Sequence, residues 1–194
     1  VNGLRYTDEE TMEIVQMVLA GKVNKDIVSL IQQAGGQALG ICGLDGGLLQ
    51  ARKLQSPAGD LGLVGEISAV KTAVLDDVLS RGYIPVISTV AQGVDNAAGQ
   101  ALNINADTAA AQIAAALGAE KLMLMTDVRG ILRDVNDPDS LLQEIKRSEL
   151  DRLIKEGTVS KGMIPKVDCC RVALDAGVKK AHIIDGRITH ALLL

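Results

Sequence analysis

The chain has 194 residues and a net charge of −4, with length for one large domain or two small ones. Phe and Trp are absent and Tyr6 and Tyr83 are the two aromatic residues. The core must therefore be aliphatic, base stacking lacks its platforms, and the acidic balance disfavours a nucleic-acid phosphate backbone as partner.

Thr7-Asp8-Glu9-Glu10 reads as a capping box, with Thr7 as N-cap, opening a helix that runs to about Leu19. Its apolar positions Met12, Ile14, Val15, Met17, Val18 and Leu19 are wider than one stripe, which predicts that a second surface covers them. Gly21 is expected to break this helix, and Asn24–Gln33 to resume it with Ile27, Val28, Leu30 and Ile31 inward. Ala38–Cys42 and Leu48–Arg52 read as two strands joined into a hairpin through Leu44-Asp45-Gly46-Gly47. Leu63–Val70 is a third strand, Lys71–Ser80 a helix and Tyr83–Val90 a buried strand. Ala91–Gln100 is small, polar and glycine-containing, so a linker is predicted there, dividing the chain into lobes 1–100 and 101–194.

The second half is organised around Leu102–Leu132. Asn103, Asn105 and Asp107 lead into an alanine-rich run of high helix propensity. Asn105 suits its N-cap, and Asp107 its first turn at the positive end of the dipole. Lys121–Met125 reads as a strand buried on both faces. Thr126-Asp127 and Gly130 follow its carboxyl end, where open parallel sheets bind ligands. Capping and turn formation account for each polar residue singly; their convergence points to a site. Beyond it, Asp134–Ser140 predicts a polar loop, Ser148–Glu156 a helix capped by Ser148, and Thr158–Lys166 a loop. A helix from about Val167 to Ala176 and a strand at Lys179–Ile184 complete the pattern. Strands alternating with helices predict an α/β fold with a mainly parallel sheet.

No apolar run reaches the ~18–20 residues of a membrane span. Cys42, Cys169 and Cys170, with two of the three adjacent, suit a reducing compartment. Two histidines leave no zinc-ligand spacing, and Walker and Rossmann phosphate loops are absent. Lys166, preceded by the stiffening Pro165 and set at a helix start, is a candidate anion-binding cation.

Six motifs in order, NGLR with the helix after it, YIPVIS, NINADTAA, EKLMLMTDVRGIL, GMIPKVDCC and HIIDGR with HALL, resemble the acetylglutamate kinases of the amino-acid kinase family. The likeness is strongest to plant, algal and cyanobacterial members. It implies a three-layer α/β/α sandwich and transfer of the ATP γ-phosphoryl to the side-chain carboxylate of N-acetyl-L-glutamate, the second step of arginine biosynthesis. By the same resemblance, Arg5 and Asn103 bind acetylglutamate, Asp107 orients catalytic lysines, and Lys166 neutralises the phosphoryl group in flight. Asp127, Val128, Arg129, Gly130, Ile131 and Leu132, with Thr158, Val159 and Ser160, would line the nucleotide site, Mg²⁺ bridging the ATP phosphates.

The first lobe would bind acetylglutamate and dimerise, and the second bind nucleotide. A homodimer, a hexamer as a trimer of dimers, and a PII signalling protein are the partners the resemblance implies. Bacterial cytoplasm or plastid stroma is the compartment it implies. Family members also carry a lysine-bearing strand and a glycine-rich loop ahead of NGLR, so the isolated chain is expected to be inactive. Two rival readings are a non-catalytic regulatory fragment and another amino-acid kinase; NGLR weighs against the second.

Overall fold

Parallel strand pairs carry both halves of the molecule. The structure, a computed structural model, describes residues 6–57, 59–134, 136–137, 139–159 and 162–193. The chain divides into two units, Val1–Ala109 and Ala110–Leu194. In the first, β1 (Ala38–Cys42) pairs in parallel with β4 (Ile84–Ser88). A four-stranded sheet is ordered β3-β2-β5-β6, from β2 (Leu49–Lys53), β3 (Gly65–Val70), β5 (Val90–Gly93) and β6 (Ala101–Asn103). In the second, β7 (Lys121–Thr126) and β8 (Lys180–Asp185) pair in parallel over six residues. The α/β class predicted by the alternation is the class observed.

The first helix departs from its sequence reading in three ways. Asp8 caps α1 (Glu9–Gln16): the Thr11 N–H donates to its carboxylate at 2.8 Å. Thr7 does not cap, because its backbone is committed elsewhere: its N–H donates to Leu61, and its carbonyl accepts from Leu63. Nor does Gly21 break the helix. Met17–Val23 forms a π turn that runs directly into α2 (Asn24–Gln33), despite glycine's cost of about 1 kcal/mol within a helix. A π turn inserts a residue and rotates the next turn of helix by about 100°. Asn24 lands inside, 2% exposed, while Ile27 and Leu30 are 41% and 63% exposed.

Asn24 is the clamp of this unit. Its Nδ2 donates to the carbonyls of Ile41 on β1 and Val86 on β4, at 3.1 and 2.8 Å. Its Oδ1 accepts from Lys25, so the buried amide is fully paired. Gly40 makes room for it: a Cβ there would overlap the Asn24 carboxamide.

The predicted β1–β2 hairpin does not form, since the two strands belong to different sheets. Asp45 closes the intervening turn on itself by accepting from the Cys42 N–H at 2.8 Å. The expected strand Tyr83–Val90 ends at Ser88, and Val90 begins β5 in the other sheet. The expected linker Ala91–Gln100 is instead β5 and a tight turn, folded back on β6. Helix α3 (Ala73–Ser80) follows the prediction.

In the second unit, α4 (Ala106–Ala116), arriving from the first, packs Ala111 and Ala114 in one cluster with Leu122 and Leu124 of β7. Met125 is 55% exposed, so β7 is covered on one face rather than two. A 3-10 turn over Arg147–Glu149 precedes α5 (Leu150–Lys155), and Glu149, not Ser148, reaches back to accept from the Lys146 N–H. Helix α6 (Ile164–Asp175) starts three residues before the expected Val167, because proline is well placed in a first turn.

Asn24→Ala should lower stability by about 1–3 kcal/mol in urea unfolding, through two carbonyls left without their donor. Gly40→Ala should cost as much alone but much less in the Asn24→Ala background. Additive effects in that double-mutant cycle would remove the clamp.

Candidate functional site

In the first unit, polar groups gather where β4 and β6 end. Asn103 closes β6, and its Nδ2 donates to the Thr7 hydroxyl at 3.3 Å. Asn105 caps α4 as expected, its Oδ1 accepting from the Thr108 N–H at 3.1 Å. Asp107 stands in the first turn of that helix. Asn103 and Asn105 line a cavity of about 590 Å³ together with Asn24, Ser88 and Thr89. That is within the size range of small-molecule sites. The Ser88 hydroxyl, on a residue 8% exposed, has no hydrogen-bond partner among the described residues. Its signal in the sequence was its place at the carboxyl end of an apolar strand, where such sheets bind ligands. Arg5 lies outside the described residues.

The second unit builds its polar cluster on the carboxyl ends of β7 and β8. The Thr126 hydroxyl accepts from the Val128 N–H at 3.0 Å and donates to the Val128 carbonyl at 2.9 Å, folding Asp127 into a tight turn. The Gly186 N–H donates to the Thr126 carbonyl at 2.8 Å, so the turn after β8 is tied to the one after β7. Asp127, Val128 and Arg129 are exposed there. Gly130 has φ 138°, a conformation that disfavours side chains, and a Cβ would press on Leu141 at 3.1 Å. Leu132 forms a bridge with Leu141, and Ile131 is buried with Leu150, Val159 and Val167. Thr158 precedes Val159 on the same segment, and its N–H donates to Leu153; Ser160 lies outside the described residues.

Lys166 occupies the first turn of α6, half-buried, one residue before the fully buried Val167. A cation there opposes the helix dipole, so helix stability does not account for it. Val167 and Cys170 of the same helix are buried in hydrophobic clusters.

Asp185, which the sequence reading passed over, is the buried charge of this cluster. It is 6% exposed, ends β8, and accepts from the Arg187 backbone N–H and guanidinium. The Arg187 hydrogen bonds, with help from the Arg129 charge, hold its carboxyl down at about 2, against an ordinary 3.8. Asp185 and Arg129 line a cavity of about 650 Å³ whose walls are mostly aliphatic.

Two α/β units with polar groups at strand ends and helix starts define the class as α/β, and strand ends of this kind are where open α/β sheets bind ligands. The chain matches the model of the amino acid kinase family over residues 1–185, and it belongs to that family. The amino-acid kinase fold expected from the sequence is thus the fold of this chain. It is 58% identical over 193 residues to the acetylglutamate kinase of Thermosynechococcus vestitus, covering 100% of this chain and 64% of the relative. It is 53% identical over 194 residues to that of Clostridium beijerinckii, covering 100% of this chain and 67% of the relative. The chain therefore spans about two thirds of the length of these relatives. Among solved structures, the N-acetylglutamate synthase of Neisseria gonorrhoeae, complexed with coenzyme A and N-acetyl-glutamate, superposes with a TM-score of 0.82 at 27% identity. That match covers 100% of this chain and 42% of the synthase. No helix among the described residues is long and apolar enough to cross a membrane.

A carboxyl held low in the folded state stabilises above its ordinary pKa and loses that contribution as pH falls through its folded value. The stability difference between the parent and Asp185→Asn should therefore be full at pH 5 and shrink between about pH 4 and pH 2. Chemical unfolding at half-unit pH steps would measure it; a difference constant down to pH 2 would exclude this role.

Proposed function

We propose that the protein containing this chain transfers the γ-phosphoryl group of MgATP to the side-chain carboxylate of N-acetyl-L-glutamate, the second step of arginine biosynthesis. One observation carries the reading: more than half of the residues along the whole chain are shared with proteins named acetylglutamate kinase. The synthase is similar at 27%, which favours a kinase over a non-catalytic relative of the synthase.

In this reading Arg5 grips a carboxylate of acetylglutamate through two parallel hydrogen bonds, and Asn103 donates to the same substrate. Asp107 orients catalytic lysine, and Lys166 spreads the negative charge of the phosphoryl group as it moves. Residues 127–132 and 158–160 hold the nucleotide, and the Mg²⁺ carried by ATP would supply further neutralisation of phosphate charge. Phosphoryl transfer needs positioning and charge stabilisation more than covalent help, which suits this inventory. Residues 1–100 then serve acetylglutamate and dimerisation, and 101–194 serve the nucleotide. The compartment is the cytoplasm of a bacterium or the plastid stroma of an alga or plant.

The first helix supports a homodimer. Ile14, Met17 and Val18 are 51%, 65% and 41% exposed, while Met12, expected on the same face, is buried in the core. An apolar row of this kind on a polar helix favours a partner surface. Pairing through it would leave other faces for a trimer of dimers and a PII protein.

Lys166→Ala in the whole enzyme should lower kcat about 10²–10³-fold, or about 3–4 kcal/mol, with little change in either KM. Arg5→Ala should mainly raise the KM for acetylglutamate, because that grip is the same in ground and transition states. Acetylglutamate-dependent ADP release is the assay, and a kcat within a few-fold of the parent for Lys166→Ala would displace the catalytic centre. Met17→Glu should yield monomers at tens of micromolar in sedimentation velocity, and an intact dimer would move the interface elsewhere.

A further inference from the structure

The strand-end cluster of the second unit holds a cation that the proposed kinase roles leave unused. The Arg187 side chain is 68% exposed, yet its guanidinium is fixed. Its Nε and Nη2 donate to the two oxygens of Asp185 at 2.9 and 2.8 Å. A guanidinium offers two forks, a side-on pair at Nε and an end-on pair at its tip. Asp185 takes the side-on fork. The end-on fork, Nη1 with the second N–H of Nη2, has no acceptor among the described residues.

The pair favours the folded state with Asp185 ionised. It also fixes the direction in which the Arg187 guanidinium points. The Gly186 N–H donates to the Thr126 carbonyl, and the Ile184 carbonyl lies 3.4 Å from the Thr126 hydroxyl. Arg187 is thereby anchored against the turn that begins the proposed nucleotide segment. Arg129 acts on Asp185 and Asp127 acts on Arg187 through their charges, so the two turns form one alternating set.

The geometry points to Arg187 as a further nucleotide-binding residue: its end-on fork receives phosphate oxygens of the nucleotide, and Asp185 is the positioning residue that aims it. The inference rests on the phosphotransferase reading. Two parallel N–H groups match two oxygens of a phosphate group, and the carboxylate behind them removes the freedom that would otherwise be lost on binding.

Calorimetric titration of the whole protein with MgATP, and displacement of a fluorescent ATP analogue by adenosine, test it. Arg187→Met should weaken MgATP roughly 10-fold or more and leave adenosine unchanged, as expected for lost charge-assisted hydrogen bonds. Arg187→Lys should recover little, because a point charge lacks the fork. Asp185→Asn should fall between, its arginine present but no longer aimed. Unchanged MgATP affinity in Arg187→Met, or equal losses for MgATP and adenosine, would overturn the assignment. Absence of MgATP binding by the parent itself would instead overturn the phosphotransferase reading, and with it this one.

Discussion

A core with no Phe and no Trp cannot be filled by a few large rings, so it must be closed by backbones coming near one another. Ala109, Ala111 and Ala173 are each no more than 1% exposed. A Cβ on Gly65 would press on Leu102 and Ile104 at 2.8 and 2.7 Å. Small residues at these contacts bring helix and strand into close register. Close packing of this kind is intolerant of added volume and holds the elements rigidly.

That rigidity serves the polar groups at the ends of the elements. Asp107 stands on a helix whose later turns are buried through alanine, and Lys166 on one anchored by Val167, Cys170 and Ala173. Neither side chain belongs to a long, mobile loop. The proposed phosphoryl transfer depends on placing charges, and supports of this sort suit it, since small displacements are costly. At the strand ends the same economy appears in hydrogen bonds: the Thr126 hydroxyl closes one turn, and the Gly186 N–H ties the next turn to it.

The two polar residues that matter most to the described architecture are buried, and both were read as ordinary in the sequence. Asn24 looked like the start of a resumed helix, and Asp185 fell just past the expected strand Lys179–Ile184. Each is buried because backbone or guanidinium donors and acceptors meet it from elsewhere in the fold. A polar side chain pays heavily for burial unless so matched, and the match is invisible until the partners are in place.

Local chemistry determined a good deal. The capped start of α4, the types of most elements and the alternation that defines an α/β fold follow from propensity, period and capping, which act within a few residues. The motifs were also sufficient to point to the family. Tertiary structure alone decided that β1 pairs with β4 and not with β2, that Val90 opens a new sheet, and that the helix runs through Gly21. Those outcomes depend on contacts between residues tens of positions apart. A flexible Asp-Gly-Gly turn permits several pairings, and the one adopted is set by which sheet can bury the strand.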